Sequence, residues 1–203
     1  MKKSTNFFHR LPKKQFLQKY SGKRTQGVVI TFAADIINVI PAKISSKKHF
    51  CFLAIDNIED PQNLGQIIRT SECAGVDGII LPKFGGVQLT NAVLQVSQGA
   101  FIHIPLYHCG NLHQQLKQLK KQGYWIIGAE NSINSKSWYE LDYKRRIVLV
   151  LGSEGKGIRS IIKKTCDDLI TIPMNGKLNS LNVSAAVSAI LFERRRQLDQ
   201  CII

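Results

Sequence analysis

From residue 50 onward, apolar runs of strand length alternate with segments whose apolar residues recur at helical spacing. Residues 50–56 predict a strand, 63–74 a helix with Leu64, Ile67, Ile68 and Ser71 on one face, and 78–81 a second strand, which together make a β-α-β unit. A helix over 90–97, a strand over 101–106, a helix over 112–122 and a strand over 124–129 continue the alternation. After a polar connection come a very apolar strand over 147–151, a helix over 158–165, a short strand over 169–172 and a last helix over 181–197. Strands apolar along their whole length and separated by helices predict an α/β fold, a parallel sheet flanked by helices on both faces. Residues 1–48 read differently. They are basic and irregular, with one apolar patch at 27–32 and a linker-like stretch at 41–48. The expected organisation is a basic N-terminal extension over 1–48 and one α/β domain over 49–203, with no internal repeat.

Composition narrows the class. A chain of 203 residues with 44% hydrophobic and 21% charged positions folds around a core, which excludes wholesale disorder, collagen-like and coiled-coil readings. No apolar stretch approaches the roughly 18 residues of a membrane-spanning helix, so no membrane association is expected. The 28 Lys and Arg against 14 Asp and Glu leave a net charge of +14, the sign of a polyanionic partner such as nucleic acid. Lys2, Lys3, Arg10, Lys13, Lys14, Lys19, Lys23 and Arg24 all precede the first acid, Asp35, and Phe7, Phe8, His9, Phe16 and Tyr20 are interleaved with them. That mixture suits an arm that tracks phosphates and stacks bases; a solvated tail is the plainer alternative. The segment lacks the apolar stretch and cleavage site of a secretory signal, which predicts a cytoplasmic protein. Five widely spaced cysteines without a CxxC pair indicate neither a disulfide framework nor a zinc site.

Open parallel sheets bind ligands at the carboxyl ends of their strands, so residues that follow strands carry the most information. Three clusters do so. In the first, residues 57–70, Pro61 favours a turn, Asn63 can cap the helix, Gly65 permits close approach of another segment or a ligand, and Arg69 lies less than two turns beyond Asn63. Arg69 also reads as an ordinary surface ion-pair residue. The second cluster, residues 152–158, holds Gly152, Glu154, Gly155 and Gly157. Its glycines fall as GxxGxG after a late strand, which fits neither a dinucleotide fingerprint nor a P-loop, and Glu154 would repel a phosphate. A carboxylate there suits the hydroxyls or amides of a neutral or cationic ligand; a tight turn with an exposed Glu is the alternative. The third, residues 172–184, is dense in Asn, Ser and Gly and runs into a helix with an apolar face at Val183, Ala186, Val187 and Ile190. Ser180 is the expected N-cap, which leaves Asn182 inside the first turn, where Asn is a mediocre helix former and ligand contact is the better reason for it.

Taken in order, Asn63-x-Gly65-x-x-x-Arg69, then residues 149–155 with Gly152 and Glu154, then Ile172-Pro173-Met174 with Ser180, Asn182 and Ser184, resemble the three motifs of the SpoU (TrmH) family. These are RNA ribose 2′-O-methyltransferases of the SPOUT superfamily, and the similarity extends over about 50–197, nearest the ribosomal-RNA branch that methylates a guanosine. The resemblance implies a C-terminal deep trefoil knot, an exception to the rule against threaded connections. It implies S-adenosylmethionine as cofactor, held by Leu151, Gly152, Ile172, Met174 and Leu181, and a homodimer whose sites are completed across the interface. It implies an active site of Asn63, Arg69, Glu154, Ser180 and Asn182. Members of that branch carry a small substrate-binding domain before the catalytic one; residues 1–48 are too few for it, although residues 26–30 resemble its end, so a truncated or reduced form is expected.

Methyl transfer to a ribose hydroxyl needs alignment and removal of a proton. Guanidinium groups stay protonated in proteins. Arg69 is therefore assigned phosphate orientation and charge stabilisation, with proton removal added only by the resemblance. Asn63, Glu154 and Asn182 would bind the hydroxyl or nucleoside, and Ser180 would position Arg69 or the substrate. No metal is required. Transfer RNA is the runner-up substrate. A non-catalytic RNA-binding protein and a different nucleotide-dependent α/β enzyme are the rival readings, and cofactor binding separates the first from an enzyme.

Overall fold

The computed structural model describes residues 9–22, 25–29, 31, 36–41, 47–131, 135–153 and 155–200. Glu154, and Lys2, Lys3, Phe7, Phe8, Lys23 and Arg24 of the basic segment, lie outside the described residues. The chain divides into two units, 1–34 and 35–203.

The first unit departs from the irregular structure expected of it. Helix α1 (Lys13–Lys19) follows Pro12, whose fixed φ suits a helix start, and buries none of its residues. Phe16 and Tyr20, four apart, bring their ring centroids to 4.9 Å, and Lys19 Nζ lies 5.7 Å from the Tyr20 ring.

The second unit is built on strands β1 (Ile37–Asn38), β2 (Cys51–Asp56), β3 (Gly78–Pro82), β4 (Leu106–Cys109), β5 (Trp125–Ala129), β6 (Lys136–Ser137), β7 (Ile147–Gly152) and β8 (Asp168–Thr171). They form one sheet in the order β1-β4-β3-β2-β7-β5-β8-β6, with each neighbouring pair parallel. Helices α2 (Pro61–Cys73), α3 (Asn91–Val96), α4 (Leu112–Lys121), α5 (Ser160–Lys163) and α6 (Val183–Asp199) complete it. The central strands β2 and β7 are buried at every position, and alternate residues feed two cores. Leu53, Ile55, Leu149 and Leu151 pack with Leu64, Ile67 and Ile68 of α2 and Val187 and Ile190 of α6. Phe52, Ala54, Val148 and Val150 pack on the other face with Leu116 and Leu119 of α4 and Ile162 of α5. A sheet covered on both faces is what continuous apolar strands require. Among the described residues, no helix is long and apolar enough to cross a membrane.

Strands β1 and β6 are not among the expected elements, and two of the expected elements take another form. The strand expected over 101–106 is a 3-10 turn at Ala100–Ile102, after Gln98 and Gly99 at φ 53° and 88°; the true strand, β4, begins after Pro105, which has no N–H for a ladder. Ile102 is 66% exposed, so its apolar character never reports a core position. The helix expected over 158–165 shrinks to α5, because Arg159 takes an extended backbone with ψ 142°, its N–H held by Asp56, and the helix starts only after it.

Candidate active site

The loop after β7 folds back tightly. Ser153 N–H donates to Gly157 O at 3.2 Å and Gly157 N–H to Ser153 O at 2.9 Å. Glycine is required at 152, since a Cβ there would stand 2.0 Å from Gly157 C and 2.3 Å from Ile158 N, both backbone atoms. Carboxylates at the ends of the two flanking strands pin the loop. Asp56, buried at the end of β2, accepts Arg159 N–H at 2.9 Å, Arg159 Nε at 2.8 Å, and a terminal guanidinium nitrogen at 2.7 Å. Glu130, just after β5, accepts Ile158 N–H at 3.0 Å and pairs with Lys163 Nζ at 2.6 Å. Its neighbour Asn131 accepts from Thr171 Oγ1 at 3.4 Å and donates to Asn179 O at 2.6 Å, tying the segment between β8 and α6 to the same edge.

These loops enclose a cavity of about 450 Å³. Leu151, Gly152, Ile172, Met174 and Leu181, the five residues expected to hold a cofactor, all line it, as does Ser180. Val183, Ala186 and Ile190 of α6 give it an apolar wall, while Glu130 and Asn131 bring polar groups.

Both caps differ from the sequence reading. Asp60 caps α2, accepting Gln62 N–H at 2.9 Å with Pro61 in the first helical position, so Asn63 is freed from capping and lies buried in the first turn. Asn182, not Ser180, caps α6: its Oδ1 accepts Ser184 N–H at 2.9 Å and Ala185 N–H at 3.4 Å. Its Nδ2 donates to Asn63 Oδ1 at 2.9 Å. Ser184 Oγ lies 2.6 Å from Asn182 Oδ1 and 2.7 Å from Gln66 Oε1, its single proton serving one at a time. Gly65 does admit a close neighbour, but the neighbour is α3, with Val96 Cβ only 2.5 Å from where a Cβ would stand.

Arg69 is exposed on α2, outside the cavity lining, and makes no ion pair among the described residues. The structure thus brings Asn63 and Asn182 together, sets Ser180 on the cavity wall and leaves Arg69 apart from both. Asp56, Glu130, Asn131 and Arg159 escaped the sequence reading, although Asp56 and Glu130 end a strand or directly follow one, the signal used for the other clusters.

A profile of the SpoU rRNA Methylase family matches residues 51–192. YacO of Bacillus subtilis (strain 168), named for the TrmH family of tRNA/rRNA methyltransferases, is 37% identical over 191 residues, covering 92% of this chain and 76% of its own. The crystal structure of an AdoMet-bound rRNA methyltransferase from Sinorhizobium meliloti superposes with a TM-score of 0.73 at 29% identity, over 79% of this chain and 62% of that one. The TrmH/SpoU tRNA modifying enzyme of A. aeolicus gives 0.69 at 29% identity, over 76% and 78%.

Proposed function

The chain belongs to the SpoU rRNA methylase family of RNA methyltransferases, and from that premise we propose that it is an S-adenosylmethionine-dependent RNA ribose 2′-O-methyltransferase whose substrate is a guanosine of large-subunit ribosomal RNA. One observation carries the reading: three chain segments, 129–131, 151–157 and 170–190, each beginning at the carboxyl end of a strand, converge on one cavity beside the Asn63–Asn182 pair.

The cavity fits the cofactor. Its volume falls in the usual range for a small-molecule site, and its wall mixes apolar side chains with backbone and a few polar groups. Leu151, Gly152, Ile172, Met174 and Leu181 would hold it, and it supplies an electrophilic methyl group on a sulfonium. This chain's residues do the rest. Asp56 and Glu130 fix the glycine loop so that its backbone groups stay aimed at the cavity. Asn63 and Asn182 orient each other's amides and present hydrogen-bonding groups to a ribose hydroxyl or nucleoside. Ser180 positions the substrate from the cavity wall, with Glu154 in the neighbouring loop.

Arg69 acts on a phosphate by a bidentate contact and places positive charge beside the developing alkoxide. Its exposure, away from its own cavity, supports a homodimer in which a second copy completes each site. On the same reading the C-terminal segment threads a deep trefoil knot, the basic residues of 1–24 contact RNA, and the enzyme works in the cytoplasm. Transfer RNA is the second reading, since this chain covers more of the A. aeolicus tRNA modifying enzyme than of the S. meliloti rRNA enzyme at equal identity.

The test is methyl transfer from labelled S-adenosylmethionine to unmodified ribosomal and transfer RNA, followed by alkaline hydrolysis. A 2′-O-methyl group protects the adjoining phosphodiester, so the label should emerge in an alkali-stable dinucleotide of ribosomal RNA. Label in mononucleotides would mean base methylation, and label in transfer RNA alone would select the second substrate. Absence of cofactor binding would favour a non-catalytic RNA-binding protein.

A further inference from the structure

Between Asp77 and Glu130 the chain has no acidic residue, while Lys83, Lys117, Lys120 and Lys121 and three histidines fall within that stretch. It comprises β3, α3, β4, α4 and β5; β3 and β4 stand on the other side of β2 from β7, while β5 ends at the cavity. At the carboxyl end of β3, in the loop that follows it, stands Phe84, 73% exposed and the most exposed Phe, Tyr or Trp ring among the described residues.

A lone exposed apolar side chain needs no explanation. This one is held out by its loop. Lys83 N–H donates to Cys109 O at 2.9 Å and Val87 N–H to Ile58 O at 2.7 Å, so the loop is fastened at both ends. Gly85 and Gly86 take φ of 73° and 113°, conformations that glycine alone adopts without strain. A Cβ on Gly85 would stand 2.8 Å from Asn57 Oδ1, and one on Gly86 would stand 3.0 Å from Ile58 O, so the loop packs flat on the segment that leads into α2. Lys83 Nζ lies 5.5 Å from the Phe84 ring centroid and makes no ion pair among the described residues. His108, at the end of β4, is close enough to feel it: burial and then the Lys83 charge hold its imidazole below the usual range. A ring carried outward on a fastened loop, with an ammonium beside it that makes no ion pair among the described residues, has the two elements that a nucleotide needs.

Resting on the RNA reading above, we propose that Phe84 is a stacking platform for an unpaired base flanking the modified nucleotide, with Lys83 holding the adjoining phosphate. β3 stands two strand spacings from β7 in the sheet order, roughly 10 Å, which a few nucleotides of single strand bridge.

The test uses the full chain and a short single-stranded oligoribonucleotide of mixed sequence, with its fully paired duplex as the control. Phe84→Ala should weaken single-strand binding by about 5- to 100-fold and leave duplex binding and S-adenosylmethionine affinity unchanged. Phe84→Trp should restore it, and Phe84→Leu, apolar without a π face, should not. Lys83→Ala should lower the salt slope by about 0.7, one phosphate's worth. Phe84→Ala binding within about twofold of the parent overturns the proposal, as does rescue by Leu or a loss of self-association in place of RNA affinity. A parent protein that binds no RNA would instead bring down the RNA reading itself.

Discussion

Asn182 and Asn63 stand 119 positions apart in the chain, yet the amide of one donates to the carbonyl of the other at 2.9 Å. The same Asn182 side chain caps α6 through its oxygen. One residue therefore starts a helix and ties that start to α2, which carries Arg69. The two tasks separate by substitution. Asn182→Ser keeps a good cap but is too short to reach Asn63, whereas Asn182→Ala loses both. A lost cap costs about 1 kcal/mol, which in a chain of this size lowers Tm by about 2–4 °C. Both variants lose the bond to buried Asn63, so thermal melts should place Ser below the parent and Ala lower still by the lost cap, while single-turnover methylation falls in both. Full activity in the Ser variant would reduce the pair to a capping accident.

Gly152 and Gly155 lie in the same loop and should behave oppositely. An added Cβ at 152 meets backbone 2.0 Å away, and one at 155 meets nothing within 4 Å. Gly152→Ala should melt lower and lose the cofactor-dependent rise in Tm that ligand binding to the native state produces. Gly155→Ala should melt with the parent. Equal melting of both variants would show the loop to be pliable and its closed form dispensable.

Much of this architecture was legible because burial of a parallel sheet leaves a plain imprint: Ile147 to Leu151 are apolar at every position since both faces of β7 are covered. β4 left no such imprint. Its Tyr107 and His108 are half-buried and look like loop residues, while exposed Phe84 and Ile102 look like core. The caps were misplaced because Asn, Asp and Ser compete on nearly equal terms; Pro61 at the first helical position was the overlooked mark of Asp60. The cavity residues were found by their place after strands. Asp56 and Glu130 obey the same rule, but an acid at a strand end is commonplace until the structure shows each of them gripping the loop from a neighbouring strand.

Deleting residues 1–24 removes eight positive charges that no acid in the segment opposes. Each phosphate that these charges neutralise adds about 0.7 to the log–log slope of single-strand RNA affinity against salt, so the deletion should weaken binding and flatten that slope together. The residues expected to hold the cofactor fall between Leu151 and Leu181, and calorimetric affinity for S-adenosylmethionine should stay where it was. Unchanged RNA affinity and slope in the shortened protein would make the segment a solubility tail.

Arg69 is the sharpest case, because its exposure admits two explanations with opposite consequences. Were it an ordinary surface ion-pair residue, it would be paired with an acid; Glu72 stands three positions on in α2, yet Arg69 makes no ion pair among the described residues. Were it held ready for RNA, its planar fork would matter more than its charge. Arg69→Lys separates the two, keeping the charge and losing the fork. A group that stabilises charge developing in the transition state contributes roughly 10²- to 10³-fold, and single-turnover methylation by Arg69→Lys should fall by at least about the lower figure. Cofactor affinity should hold, since Arg69 does not line the cavity. Mixing Arg69→Lys with a second inactive variant altered only in the cavity, such as Gly152→Ala, adds a further reading. If each site draws Arg69 from the other copy, a mixed dimer carries one site with both defects and one with neither, and activity partly returns. A site built within one copy would leave each inactive, and methylation by Arg69→Lys within about threefold of the parent would return Arg69 to the ordinary surface.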